Sequence, residues 1–167
     1  MITMKKFLTA VSLTLAATGF AGLANAATWA PLNTTGIVVA NDPATPLQVS
    51  KGITLSCSMN GMANIDAAGS AEIVALSLTG SLGLCGSIGF FNFPYELEGG
   101  ADDVVTLKNV DVQGITGDCL GDLVGTLDQT TGEISFNMAE IPSNPTGAAP
   151  CVVNGIVGTT PAVSYTP

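Results

Sequence analysis

Leu123-Val124-Gly125-Thr126-Leu127 and Glu133-Ile134-Ser135-Phe136-Asn137-Met138-Ala139-Glu140-Ile141 flank the loop Asp128-Gln129-Thr130-Thr131-Gly132. In the second run Ile134, Phe136 and Met138 alternate with Glu133, Ser135 and Asn137. A strand sends successive side chains to opposite faces, so this alternation predicts one apolar face and one polar face. The five-residue connection ends in glycine, a length and composition suited to a hairpin loop. Residues 123–127 and 133–141 therefore read as a β-hairpin.

The same period of two extends outward from it. Over 47–59, Leu47, Val49, Ile53, Leu55, Cys57 and Met59 take the odd positions, with Lys51 as the exception. Lys51-Gly52 predicts a break there into two strands. Over 74–84, Val74, Leu76, Leu78, Leu82 and Leu84 share one face, and the other face is small: Ala75, Ser77, Thr79, Ser81, Gly83, then Cys85. Residues 103–112 and 151–157 read as further strands, and 141–150 as a Pro/Asn/Gly loop. Beyond the N-terminal segment no helical period survives, apart from a turn around 67–72. Seven to ten short strands with glycine-rich turns specify an all-β chain, an antiparallel β-sandwich or barrel-like domain stapled by disulfides.

Phe90, Phe91, Phe93 and Tyr95, around Pro94, form the densest aromatic cluster. Aromatics carry much of the burial in a β-core, so core is the first reading. An apolar contact surface for a partner or a hydrophobic phase is the second. Pro94 predicts an edge or a bend.

The N-terminus reads as an export signal. Lys5 and Lys6 supply the positive region, 7–23 the apolar stretch, and Ala24-Asn25-Ala26 a small-x-small cleavage site. A retained membrane helix is the alternative, but the stretch is short and interrupted by Thr9, Ser12, Thr14 and Thr18. The expectation is a signal peptide at 1–26 and a single secreted β-domain at 27–167, with no transmembrane anchor after cleavage. Its destination is extracellular, or periplasmic in transit.

The remaining 141 residues keep two lysines, Lys51 and Lys108, against thirteen carboxylates, a net charge of −11, with no arginine and no histidine. Such a surface repels nucleic acid and anionic lipid headgroups, which both need cationic side chains. Without histidine there is no ordinary nucleophile–base pair and no imidazole metal site. The chain is nevertheless 47% hydrophobic, which argues against disorder. A full core accounts for that, and so does apolar surface shown to something else.

Asp102, Asp103, Asp111, Asp118, Asp122 and Asp128 gather in the second half, but none fits a calcium-loop spacing. Solvated turns are the better account. Glu96 and Glu98 share a strand face, yet they lack the polar cleft a glycosidase pair requires. No catalytic residue, metal or cofactor is expected, and the chain does not read as an enzyme.

Cys57, Cys85, Cys119 and Cys151 are separated by 28, 34 and 32 residues, with no CxxC pair. Zinc knuckles need closer thiolates, and an even count in an exported chain favours two disulfides. Three connectivities are open. Cys57–Cys85 with Cys119–Cys151 is preferred, since each bond would then tie neighbouring strands within one half of the domain.

Gly52-Ile53-Thr54-Leu55-Ser56-Cys57, Gly89-Phe90-Phe91-Asn92-Phe93-Pro94-Tyr95, Asp118-Cys119-Leu120-Gly121 and Pro150-Cys151-Val152-Val153 together resemble the PraB family of pseudomonads. Its members are called alkane oxidation protein activators: small, exported, cysteine-containing and apolar. The resemblance rests on overall pattern and cysteine placement, and it brings no active-site residues. It implies a non-enzymatic accessory that promotes growth on long-chain alkanes or takes part in cell-surface and biofilm behaviour. The expected partners are a hydrophobic phase or cell-surface components. The alternative is a structural or adhesive subunit that self-assembles by β-strand addition, with 35–40 as a detachable strand. A hydrolase ranks last. Intact-mass analysis of periplasm and culture medium should find the protein without its first 26 residues, and a chain that keeps Lys5 and Lys6 would overturn the export reading.

Overall fold

The computed structural model describes residues 27–167, so the signal read at 1–26 lies outside the described residues. Thirteen strands follow in order: β1 (Thr28–Ala30), β2 (Thr34–Ala40), β3 (Leu47–Lys51), β4 (Ile53–Ile65), β5 (Ala71–Gly80), β6 (Gly89–Phe91), β7 (Tyr95–Gly99), β8 (Val104–Gln113), β9 (Asp118–Asp128), β10 (Glu133–Ile141), β11 (Ser143–Asn144), β12 (Cys151–Thr160) and β13 (Ser164–Thr166). The hairpin of 123–127 and 133–141 is present, with Glu133 opposite Asp128 and Ile134 opposite Leu127. The break at Lys51-Gly52 is present too: Lys51 faces Ile53 across a tight turn. Gly52 takes it at φ +79°, a conformation glycine adopts at little cost.

Between sandwich and barrel, the structure decides for a closed eight-strand barrel. Around the wall run β9, β10, β12, then β2 with β3, β4, β5, β7 with β6, and β8, which pairs back to β9 from Val104–Thr126 to Val112–Cys119. All of these pairs are antiparallel. Two positions in the wall are shared. β2 meets β12 and β4 in one half of the barrel and β3 meets them in the other, while β6 and β7 both lie along β8. The ladder between β5 and β7 covers only Ala71 to Ile73. Beyond it β5 and β6 are not hydrogen-bonded to each other, and Leu76, Leu78, Ile88 and Phe90 there pack in or against the core.

Alternation makes the inside of this wall apolar. Val39, Leu47, Ile73, Leu107, Phe136 and Val157 are among its buried members. Gly155, at φ +136°, keeps β12 close to the gap between β2 and β3, where an added Cβ would stand 2.7 Å from Leu47 Cδ2.

Three expectations about phase fail, and each for a local reason. Val74 does not share the inner face of Leu76 and Leu78, because the register slips where Met62 and Ala63 meet Ala75 and Ile73. Leu82 and Leu84 do not continue the β5 face: β5 ends at Gly80, and two 3-10 turns follow at Ser81–Gly83 and Cys85–Ser87. Gly80 at φ +113° begins the change of direction and Cys85 is bonded back to Cys57 on β4, so the chain turns although its hydrophobic alternation runs on. Met138 does not share the inner face with Ile134 and Phe136. The register slips between Phe136 and Ala139, and this bulge leaves Met138 61% exposed.

A short lid closes one end of the barrel. β1 and β13 pair through Trp29 and Tyr165, whose rings sit 4.9 Å apart. Trp29 Nε1 donates to the Leu97 carbonyl at 3.0 Å, and the Tyr165 hydroxyl donates to the carbonyls of Gly100 and Val104 at 2.8 and 3.0 Å. The Tyr165 N–H donates to Gln129 Oε1, and the Trp29 N–H to the Gly69 carbonyl. Gly99 makes room for this lid, since a Cβ there would lie 2.6 Å from the Tyr165 ring. Trp29→Ala should cost about 3–5 kcal/mol of stability in chemical denaturation. A loss below about 1 kcal/mol would mean that the lid lies outside the cooperative core.

Candidate functional site: the open end of the barrel

The two ends of the barrel differ in chemistry. At the lid end the connections carry Asp66, Asp102, Asp103 and, closing β9, Asp128. Several of these carboxylates build turns. Asp66 accepts the backbone N–H groups of Ala68 and Ser70, both at 2.8 Å. Asp128 accepts those of Thr130 and Thr131, bonds that hold its carboxyl below the ordinary carboxylate range. Asp103 accepts from Gln129 Nε2.

At the other end four segments meet: the turn 51–53, the loop 81–88, the loop 114–117, and the segment 142–150 that contains β11. Lys51 is their one charged residue, with Asp118 next along the chain at the start of β9. Leu82 is fully exposed, Ile115 is 63% exposed, and Ile53 and Leu84 are over 40% exposed. Phe91, whose ring folds back over Gly89, is 44% exposed beside this rim. Both disulfides lie here, Cys57 bonded to Cys85 and Cys119 to Cys151, in the connectivity preferred from sequence. They pin the loop 81–88 to β4 and join the starts of β9 and β12. Each closes a loop of about thirty residues, worth roughly 3–4 kcal/mol in the chain-entropy description.

Inside this rim lies a cavity of about 100 Å³. Its wall runs from Lys51, Ile53 and Ile115 at the opening to Val39, Ile73 and Leu107 deeper in the barrel. The lining is aliphatic and aromatic almost throughout. Lys51 reaches across the opening, where Nζ donates to the Ala149 carbonyl at 2.6 Å and lies 3.4 Å from Cys119 Sγ. Gly117 leaves the space for it, since an added Cβ would come within 2.9 Å of Lys51 Cε. Among the described residues the ion pairs belong to the other lysine: Lys108 is paired with Asp122 and Glu98 on the outer wall. That pairing lowers the Asp122 pKa, first through the Lys108 hydrogen bond, and raises the Lys108 pKa.

The aromatic cluster is divided by the wall. Phe90 faces the cavity. Tyr95 is 1% exposed, its hydroxyl donating to the carbonyls of Phe91 and Asp111, and burial raises its pKa. Phe93 stacks on Tyr95 at 4.5 Å and is half-buried. Phe91 alone of the four presents much surface. Pro94 stands at the interruption between β6 and β7, the bend its position predicted.

The six aspartates of the second half do not converge. Among the described residues no three His, Cys, Asp or Glu side chains come together as metal donors. Asp111 accepts from Asn92 and Asp122 from the Asn109 N–H. Glu96 and Glu98 both point outward from β7, Glu96 opposite Glu72. The rim itself was missed from sequence, although one signal was there: three of the four connections are uncharged, while carboxylates mark the turns at the opposite end.

No curated protein and no solved structure matches this chain. A family model does, over residues 1–167, the whole length, and its description is alkane oxidation protein activator PraA/PraB-like. The all-β fold read from strand alternation and the two disulfides read from the even cysteine count are both present. The chain belongs to the alkane oxidation protein activator PraA/PraB-like family.

Proposed function

We propose that this chain is an exported, non-catalytic accessory that promotes use of alkanes by engaging the hydrophobic phase with the open end of its barrel. The observation that carries the reading is the contrast between the two ends. One exposes Leu82, Leu84, Ile53 and Ile115 on loops whose one charge is Lys51, and the other presents Asp66, Asp102, Asp103 and Asp128 to water, with Leu32 the one large aliphatic exposed in its connections among the described residues. A body with one apolar and one acidic end orients itself at an oil–water boundary. Hydrophobic contact drives the apolar end out of water, and the hydration of the carboxylates holds the other end in it. Phe91 belongs to this contact surface by exposure, whereas Phe90, Phe93 and Tyr95 support it from within. Attachment to cell-surface material through the same rim would give the surface and biofilm behaviour expected of the family.

Assembly by strand addition has less support. The candidate donor segment, 35–40, lies within β2, bonded to β4 along one side and, over Val38–Ala40, to β12 along the other. A strand held on both sides is costly to release and presents no edge for extension.

Purified protein should adsorb to hexadecane droplets at moderate salt, because hydrophobic contact is not screened as charge contact is. The double variant Leu82→Ser/Ile115→Ser should reduce adsorption at least about tenfold, given roughly 1.5–3 kcal/mol for each fully buried aliphatic side chain. Glu96→Gln and Glu98→Gln should leave it unchanged. Wild-type protein that stays in the aqueous phase with its circular dichroism intact would remove the interfacial reading.

A further inference from the structure

Droplet adsorption uses only the outside of the rim, and the cavity behind it calls for an occupant of its own. We propose that the barrel interior is a binding site for one linear, medium-length aliphatic chain bearing a carboxylate, its tail in the cavity and its head at Lys51. The proposal deepens the reading above, on which it rests for the source of such a chain: a carboxylate is the oxidised form of an alkane end.

Three observations converge on this chemistry. The first is the lining. Leu47, Val49, Met59, Leu76, Phe90 and Val153 surround the space, and an apolar cavity of this kind stays dry and takes up apolar guests. The second is size and shape. About 100 Å³ is some two-thirds of the ~150 Å³ cavity that accepts benzene in another protein. The wall extends from the rim to residues midway down the barrel, so the space suits the end of an aliphatic chain entering from the rim. The rest of the chain would then lie along Ile53, Leu55 and Ile115 toward the opening.

The third is the cation. Lys51 interrupts the apolar face of β3 at the opening, and it makes no ion pair among the described residues. An ammonium carries three donors. One is spent on the Ala149 carbonyl at 2.6 Å and another points at the weak acceptor Cys119 Sγ at 3.4 Å, which leaves capacity for an anion. A chain with net charge −9 before processing has few places where a carboxylate is welcome. A lone lysine over an apolar hole is one, and a charge-assisted bond there adds direction to a contact that is otherwise only greasy.

Titration calorimetry with sodium hexanoate, octanoate and decanoate, all below micellar concentrations, tests the proposal. One chain should bind per protein, with affinity rising roughly fourfold per added methylene and levelling off once the cavity is full. Lys51→Met keeps the stem and removes the charge. It should weaken octanoate about tenfold and leave 1-octanol within about twofold, the size expected for one charge-assisted hydrogen bond. Val49→Phe should abolish binding of both while circular dichroism stays unchanged. Should Val49→Phe fail to fold, a branched isomer decides instead: 2-propylpentanoate should bind at least about tenfold more weakly than octanoate, since a branch beside the head does not enter a narrow channel. Leu82→Ser, outside the cavity, separates the two readings, because it should weaken droplet adsorption and leave octanoate affinity unchanged. Three results would each overturn the proposal: no saturable binding of octanoate or decanoate, equal binding of the branched acid, or a Lys51→Met affinity equal to that of the wild type.

Discussion

The ladder between β8 and β9, from Val104–Thr126 to Val112–Cys119, joins the two ends of a long antiparallel sheet into a tube, and most of what the molecule can do depends on that closure. A closed wall pairs its strands nearly all round, the stretch between β5 and β6 excepted, and so leaves few backbone groups exposed as an edge. It also forces alternate side chains inward from every strand, so an alternating chain must fill its own interior with aliphatic groups. An eight-strand tube is just wide enough for side chains to fill, or to leave room for one small guest. Here the unfilled space lies toward the rim, and Trp29 and Tyr165 are buried at the lid.

Stability follows the same division. Trp29 and Tyr165 seal one end through hydrogen bonds to Leu97, Gly100 and Val104, with no buried side-chain polar atom left without a partner among the described residues. The rim has no such plug. Its loops are held instead by Cys57–Cys85 and Cys119–Cys151, which restrain the unfolded chain without filling space. Covalent bonds thus do at the open end what packing does at the closed end, and that lets the rim keep exposed leucine and isoleucine beside an unfilled cavity.

The sequence made the strands legible because period-two alternation is strong in 47–59 and 133–137, and because glycine marks the turns at Gly52 and Gly132. It misled where alternation outlasts the strand. Leu82 and Leu84 keep the spacing of Leu76 and Leu78, but positive φ at Gly80, Ser81 and Leu82 turns the chain away, and no hydropathy pattern encodes that. Met138 was misplaced by one bulge. β1 and β13 were not legible, since three-residue strands 136 positions apart declare themselves only when Trp29 and Tyr165 meet. The candidate site was less legible than the fold. Phe90, Phe91, Phe93 and Tyr95 stood out by density, whereas the rim draws on four connections that are remote in sequence and become one surface only when the tube closes.

Membership of the alkane oxidation protein activator PraA/PraB-like family links the chain to alkane oxidation, and the link we propose is an oriented molecule with an apolar, disulfide-held open end. Amide hydrogen exchange on protein adsorbed to a hexadecane emulsion, compared with protein in buffer, reads the orientation directly. The account predicts added protection in 51–53, 81–88 and 114–117, with 66–70, 100–103 and 129–132 exchanging as they do in solution. Protection spread evenly over both ends, or greater at the Asp-rich turns, would contradict it.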